Sequence, residues 1–361
     1  MSDAIEAVSQ RLDDFFASPS WNAPETGPEA ADFIAASTAA VRGGKRLRAR
    51  FCLTGWRAVA EAAGRRPAPD DAVVAAAGSL EIFHAAALVH DDLIDNSDTR
   101  RGRPSAHRAL ESHHRARGWV GDPDAFGRSA AILSGDLLVA WSDDLFESGL
   151  LSAPGPAAAV ARTEYARMRR DVTIGQFLDI AEESAFVSEP DDRHADRALR
   201  VASLKSARYS VEQPLRIGAA LAGATPAQLA ALSAFGHPVG MAFQLRDDVL
   251  GVFGDESETG KPSGDDLREG KRTVLIAYTR EALAPGARAV LDELIGDPSL
   301  DAAQIAALQQ TIVDSGALAR VETLIADYAR EADRALAGAP LGNAAVSELR
   351  ELARAATTRT A

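Results

Sequence analysis

Residues 81–103, Glu-Ile-Phe-His-Ala-Ala-Ala-Leu-Val-His-Asp-Asp-Leu-Ile-Asp-Asn-Ser-Asp-Thr-Arg-Arg-Gly-Arg, constrain this chain more than any other stretch. An apolar helical run leads directly into Asp91, Asp92 and Asp95, and the pair Arg100–Arg101 follows. On a helix, Asp91 and Asp95 stack on one face a turn apart, with Asp92 beside them. Charge at the end of a buried stripe is costly unless it is paired or bound to a metal. Carboxylate oxygens favour a hard ion, here Mg²⁺ holding a phosphate. The forked donors of the arginines suit the anionic side of such a ligand. A solvated acidic helix end is the competing reading.

An adjacent aspartate pair is weak evidence alone, because the chain has seven: Asp13–Asp14, Asp70–Asp71, Asp91–Asp92, Asp143–Asp144, Asp191–Asp192, Asp247–Asp248 and Asp265–Asp266. Two of them end strongly apolar helical runs: Asp91–Asp92 after Phe83 to Val89, and Asp247–Asp248 after Val239 to Leu245. These two are the candidates.

Composition sharpens the choice. Of 39 basic residues only four are lysine, Lys45, Lys205, Lys261 and Lys271, so arginine is the generic surface cation and each lysine asks for its own explanation. Lys45 lies in Gly-Gly-Lys-Arg-Leu-Arg, Lys205 on an amphipathic helix before Ser206, and Lys261 and Lys271 in the glycine-rich stretch after the second pair. The net charge of −13 argues against a nucleic-acid partner. The one cysteine, Cys52, excludes an intramolecular disulfide, fits a reducing cytoplasm and reads as a small buried apolar residue. No stretch approaches eighteen uninterrupted apolar residues, so no transmembrane helix is expected. The first residues lack a basic region and a signal-type apolar core.

Three-to-four spacing of apolar residues predicts helices nearly throughout: 4–17, 29–41, 47–63, 70–95, 106–116, 127–149, 156–171, 173–187, 196–222, 226–235, 238–253, 272–283, 287–295, 302–314, 317–337 and 343–357. Asp70 after Pro67-Ala68-Pro69 reads as the cap of the long fourth helix, and Pro238 as the start of a new one. Residues 96–105 read as a polar loop. Residues 254–270 carry four glycines without apolar periodicity, an active-site lid position after an apolar helix. With no convincing strand pattern, the expectation is a single all-α domain over residues 1–361, with 1–28 as an N-terminal helix and loop.

The familiar catalytic signatures are absent. There is no Gly-x-Ser-x-Gly elbow and no His-Glu-x-x-His, and Gly254 to Lys261 has the wrong glycine spacing for a phosphate loop, with Pro262 where Ser or Thr is needed. The histidines form no metal-ligand pattern. Two acidic clusters, surrounding cations and an apolar run beneath them suit a polyphosphate held through Mg²⁺ with a hydrophobic tail inside a helical bundle. No nucleophile or strong base is apparent, so the indicated chemistry is departure of diphosphate assisted by metal and cations.

Over residues 40–280 the ordered motifs resemble the trans-type isoprenyl diphosphate (polyprenyl) synthases. Asp91-Asp92-Leu-Ile-Asp95, with Arg100-Arg101-Gly102 after it, is similar to their first aspartate-rich motif, and Gly43-Gly44-Lys45-Arg46-Leu47-Arg48 to their isopentenyl diphosphate motif. Gly135–Asp136, Gly175–Gln176 with Asp179, and Lys205–Ser206 resemble internal landmarks. Phe243-Gln244-Leu-Arg-Asp247-Asp248 resembles the second aspartate-rich region, followed by Gly260–Lys261 and Gly270–Lys271. The resemblance implies an all-α isoprenoid synthase helical bundle around a central apolar cavity, usually a homodimer, acting on isopentenyl diphosphate and an allylic diphosphate. By the same resemblance, Asp91, Asp95 and Asp247, with Asp92 and Asp248, would bind Mg²⁺, three ions in that family. Arg100, Lys205, Gln244, Lys261 and Lys271 would hold the allylic diphosphate. Lys45, Arg48, His84 and Arg101 would hold isopentenyl diphosphate, and Gln176 and Ser206 would lie near the carbocation. The implied mechanism is ionisation, condensation and elimination, the released diphosphate taking the proton.

Three positions depart from the family pattern: Gly251 replaces the third aspartate of the second motif, Ala49 a frequent proline, and Ser206 a threonine. Family members making fifteen carbons carry a bulky aromatic just over one turn before the first aspartates, where Ala86 and Ala87 leave the upper level open. Phe83, about 4.5 Å deeper than Ala86 at 1.5 Å per residue, would be the floor, adding one isoprene unit and predicting geranylgeranyl diphosphate. Packing of Phe83 against a neighbouring helix is the structural alternative, and a longer product or farnesyl diphosphate the functional one. A terpene cyclase would carry a different second metal motif, a non-catalytic subunit typically lacks one aspartate motif, and an acidic scaffold leaves the lysines unexplained.

Overall fold

Asp70 accepts a hydrogen bond from the Val73 N–H at 3.1 Å and so caps the helix on which the bundle is built. In the computed structural model, which describes residues 2–18, 27–65, 68–100, 102–255 and 262–357, that helix is α4 (Asp71–Ile94). Before it come α1 (Ser2–Phe16), α2 (Gly27–Ala40) and α3 (Leu47–Ala62). After it come β1 (Thr99–Arg100), β2 (Arg103–Pro104), α5 (Ala106–Arg117), α6 (Pro123–Leu150) and α7 (Gly155–Ala185). Then α8 (His194–Val201) runs into a π-helical segment (Ala202–Glu212) and on into α9 (Gln213–Leu221) and α10 (Pro226–Phe253). The chain continues as α11 (Asp265–Glu269), α12 (Val274–Ala282), α13 (Pro285–Leu294), α14 (Ala302–Asp314), α15 (Ala317–Ala335) and α16 (Asn343–Thr357). The all-α expectation stands, with one minimal exception: β1 and β2 pair antiparallel, Thr99 opposite Pro104, inside the expected polar loop.

Helix α4 packs most extensively on α6 and also on α3 and α9. Around it Phe51, Leu53, Leu80, Ile82, Leu138, Trp141, Leu145, Phe146, Leu215 and Ile217 are fully buried, each large side chain worth about 1.5–3 kcal/mol when removed from water. A second core joins the C-terminal half of α10 (Ala242, Leu245, Val249, Val252) to α12, α14 and α15. Helix α10 thus threads both cores. By length and composition α4 could cross a membrane, but 83% of its apolar window is buried inside the bundle. Cys52 is fully buried, and burial pushes its thiol well up, as expected of an inert core residue.

Several element boundaries differ from the sequence reading. Helix α7 runs unbroken through Val172, which packs in the core. Helix α10 likewise continues through Pro238, whose ring removes one backbone hydrogen bond; burial of Phe235, Pro238 and Val239 against neighbouring elements holds the two halves in line. The glycine-rich stretch is not structureless: α11 forms between Gly264 and Gly270, both at positive φ, and Leu267 anchors it in the second core. Its residues 256–261 lie outside the described residues.

The π-helical segment is the element no periodicity foretold. It is held from both sides at glycines: a Cβ at Gly175 of α7 would lie 2.4 Å from the Lys205 backbone nitrogen, and one at Gly240 of α10 would lie 2.4 Å from the Ala207 carbonyl oxygen. Only glycine permits these approaches, and they bring α7 and α10 against the widened turn that carries Lys205, Ser206, Tyr209 and Ser210.

Candidate functional site

A cavity of about 1940 Å³ opens between α4, α7, the π-helical segment and α10. Its lining collects most of the residues singled out in the sequence: Lys45, Arg48, Phe83, His84, Ala87, Asp91, Asp95, Arg100, Gln176, Lys205, Ser206, Gln244, Asp247, Asp248 and Lys271. Two are placed elsewhere. Ala86 is fully buried in the core and does not line the cavity; only Ala87 does, because successive helical residues point about 100° apart. Asp92 is 3% exposed and also outside the lining. Its Oδ1 accepts from Arg100 Nε at 2.9 Å, so it anchors the arginine. Arg101 and Lys261 lie outside the described residues.

The acidic mouth is built from two helix ends. Asp91 sits in the last turn of α4, and Asp95 is its C-cap. Burial raises the Asp91 pKa, with Asp95 adding to it and Lys205 and Arg100 opposing it. Across the cavity, Gln244 Nε2 donates to Asp248 Oδ1 at 2.6 Å. Burial, helped by Asp266 and Asp247, pushes Asp248 up to about 8. Burial and the charges of Asp179 and Asp95 likewise push Glu183 up to about 7. Burial and neighbouring acids thus hold Asp91, Asp248 and Glu183 toward their protonated forms, a cost that a bound cation would relieve.

Two lysines partly compensate. Burial disfavours the Lys205 ammonium, but Asp179, with which it pairs, and Asp91 outweigh that and raise its pKa. Lys271 lies 2.6 Å from Glu269, 3.3 Å from Asp266 and 3.8 Å from Asp95, tying the end of α4 to α11. These acids raise its pKa well up against the cost of burial.

A second cationic group lies at the start of α3. Gly43, Gly44 and Arg46 all have positive φ, a left-handed turn that delivers Lys45 and Arg48 to the cavity. Buried Glu81 of α4 fixes this turn by accepting from the Ala49 N–H at 3.0 Å. That bond gives a reason for Ala49, since a proline there has no N–H to donate. Arg48 donates to Ser210 Oγ at 2.9 Å, and its guanidinium stacks 4.2 Å over the Tyr209 ring. The Tyr209 hydroxyl meets His84 Nδ1 at 3.2 Å, and its ring meets Phe83 edge-on at 5.9 Å. When the hydroxyl donates, the His84 ring proton sits on Nε2, the form able to donate to a phosphate oxygen.

Sequence reasoning missed Tyr209, Glu81 and Asp266. Tyr209 follows Lys205 by four residues, a usable signal on an α-helix, but its inward aim depends on the π-helical geometry. Glu81 is the one acid inside the apolar run of α4, and a buried acid implies a partner.

The donor set fits Mg²⁺: Asp91, Asp95, Asp247 and Asp248 present only oxygen to one cavity. Among the described residues no three acidic, histidine or cysteine side chains close on a point to cage an ion. An ion here would share its shell with water and phosphate oxygens, the usual state of Mg²⁺.

Fold and site together define a class: a helical bundle whose cavity has an acidic, cation-flanked mouth and an apolar interior. The polyprenyl synthetase family model matches residues 33–312. The chain is 32% identical to geranylgeranyl diphosphate synthase of Sulfolobus acidocaldarius over 62% of this chain and 61% of that protein. It is 33% identical to geranylfarnesyl diphosphate synthase of Aeropyrum pernix over 86% and 88%. Its fold superposes on geranylgeranyl pyrophosphate synthase of Corynebacterium glutamicum, solved with isoprenyl diphosphate and magnesium, with a TM-score of 0.90 and 37% identity over 98% of each chain. This chain belongs to the polyprenyl synthetase family, the trans-prenyltransferases with the all-α isoprenoid synthase fold.

Proposed function

We propose that the chain condenses isopentenyl diphosphate with an allylic diphosphate and that its product is geranylgeranyl diphosphate. The observation that carries this reading is one cavity lined by both aspartate regions, by a separate cation set (Lys45, Arg48, His84) and by Phe83. Asp91, Asp95, Asp247 and Asp248 would hold Mg²⁺, which when bound neutralises the charge that grows on the departing diphosphate. Arg100, Lys205, Gln244 and Lys271 orient the allylic diphosphate, and Lys261 joins them by resemblance. Lys45, Arg48 and His84, with Arg101 by resemblance, hold isopentenyl diphosphate so that its double bond faces the ionising carbon. Gln176 and Ser206 turn their dipoles toward the cation, while Ala87, Leu88, Val139 and Phe243 keep water from it. The released diphosphate removes the proton.

The product length rests on α4. Ala87 leaves the upper cavity open, and Phe83 lies one turn deeper, about 6 Å at 1.5 Å per residue. That is close to one extended isoprene unit of about 5 Å with C–C bonds of about 1.5 Å. A homodimer is part of the same reading. Ile132 and Leu133 of α6 are 51% and 60% exposed, apolar side chains that a second copy would cover.

The test is incubation with Mg²⁺, isopentenyl diphosphate and dimethylallyl, geranyl or farnesyl diphosphate, with products sized by chromatography. A twenty-carbon product is expected, and no condensation with any primer overturns the assignment. Sedimentation tests the dimer: Leu133→Glu should lower the mass toward one chain, and a monomeric wild type refutes it.

A further inference from the structure

Helices α6 and α7 both line the cavity, α6 through Val139 and α7 through Ala166, Arg169 and Thr173 among others. Among the described residues the two helices meet through side chains rather than by close backbone packing. A ladder of these side chains bridges the slot between them. Farthest from the mouth, Arg162 donates to both carboxylate oxygens of Glu147, at 2.8 and 2.6 Å. Next, the Tyr165 ring stacks on Phe146 at 4.1 Å, and its hydroxyl donates to Ser142 Oγ at 2.9 Å. Then comes the pair Arg169–Asp143, after which α7 rises to the mouth, where Asp179 pairs with Lys205. Of this ladder, Arg169 is the member that lines the cavity.

That rung lies at the depth of Phe83. Helix α6 runs antiparallel to α4: a Cβ on Gly135 would lie 2.1 Å from His90 Nε2, one on Gly78 3.1 Å from Leu145 Cδ2, and one on Gly149 2.5 Å from Ala75 Cβ. Asp143, just before Leu145 on this line, is therefore level with the turn of α4 that ends at Phe83. Arg169 Nη1 donates to both Asp143 carboxylate oxygens, and the guanidinium carbon lies 4.9 Å from the centre of the Tyr165 ring. The Arg169 Nε is buried and bonds to nothing among the described residues. The carboxylate and the ring are thus what hold the side chain across the slot. The paired side chains are 31% and 40% exposed, so the rung stands between solvent and the cavity.

We infer that Arg169, braced by Asp143 and Tyr165, is a second determinant of product length: it closes the side of the cavity between α6 and α7 at the level where Phe83 closes it on α4. The inference rests on the chain elongation proposed above. A growing apolar tail that reaches Phe83 has this slot beside it. To pass, the tail would have to push the guanidinium aside and leave the Asp143 carboxylate unpaired against hydrocarbon, which is costly. The planar head of the arginine also fills the slot with a rigid group. Floor and side wall then act together on the length of the chain.

The test uses the full chain with Mg²⁺, radiolabelled isopentenyl diphosphate and geranyl diphosphate, the products being sized by chromatography. Arg169→Ala, with Phe83 intact, should shift the main product at least one isoprene unit beyond that of wild type. Arg169→Gln, which leaves most of the slot filled, should shift it less. Asp143→Asn keeps the shape of the partner but releases the guanidinium, and it should add longer products even if the alanine variant fails to fold. Phe83→Ala together with Arg169→Ala should give longer products than either change alone. Folded Arg169 and Asp143 variants with the wild-type product length, or with lower turnover and no longer product, would overturn the inference and leave the proposed function standing. A wild-type chain that forms no condensation product would instead refute the proposed function, and this inference with it.

Discussion

Tyr209 joins two tasks that the sequence kept apart. Its hydroxyl steadies His84, its ring supports Arg48, and its edge backs Phe83. Removing only the hydroxyl deletes a hydrogen bond with a net worth of about 1 kcal/mol. Tyr209→Phe should therefore raise KM for isopentenyl diphosphate about fivefold, leaving KM for the allylic substrate and the product length unchanged. Steady-state kinetics with each substrate varied in turn separates these. Phe83→Ala tests the floor: products should lengthen by at least one isoprene unit, at a cost of about 3 kcal/mol in stability. An unchanged product profile by chromatography would reduce Phe83 to a packing partner of Tyr209. At this scale Asp91, Asp95, Asp247, Asp248, Lys45, Lys205, Lys271 and Phe83 were legible as residues that meet in one cavity, because their types and spacings stand out from the helices that carry them. Ala86 and Asp92 lie outside the lining because their side chains face the buried side of α4, a direction set by packing against other elements.

Among the elements, caps and long helices followed from local rules. Asp70 caps α4 as expected, and Thr225 caps α10 with Gln228 in a reciprocal capping box. The continuity of α10 through Pro238 and the π-helical segment were not legible, because contacts from other elements decide both. The segment's dependence on close approach is testable. Gly175→Ala forces a methyl group to within 2.4 Å of the Lys205 backbone nitrogen and should cost about 1–3 kcal/mol as overpacking. It should lower kcat at least tenfold by displacing Lys205 from the mouth. Thermal melting and single-turnover rates measure the two effects, and an unaltered rate would show that the backbone at Lys205 can move without consequence. His237 offers a pH signature in the same region. Burial holds its pKa below the usual 6.5, partly against Glu212, with Arg208 acting in the same sense as burial and Glu331 opposing it. Its ring bonds to Ser203 Oγ at 2.8 Å. A histidine depressed in the folded state contributes no penalty above 6.5 and destabilises as pH falls through that value toward the folded pKa. His237→Gln should flatten this acid limb in melts between pH 7 and pH 5.

For the whole molecule, the acids at the mouth are a cost that ligands relieve. Mg²⁺ together with inorganic diphosphate should raise the melting temperature, by the equivalent of about 2.7 kcal/mol at a hundredfold excess over Kd. EDTA should abolish the gain, and differential scanning fluorimetry would register its absence if the site does not take the pair. The sequence by itself determined the helical class, the two acidic helix ends and the four lysines, because helix periodicity and charge type are local properties. Tertiary structure decided which of these residues meet. Arg48 and Ser210 are 162 positions apart, yet share one wall through the packing of α3 and α4 against the π-helical segment. The carboxylate of Asp266 fills the space beside Gly251 because Leu267 buries α11 against the second core, a contact that no spacing along α10 encodes.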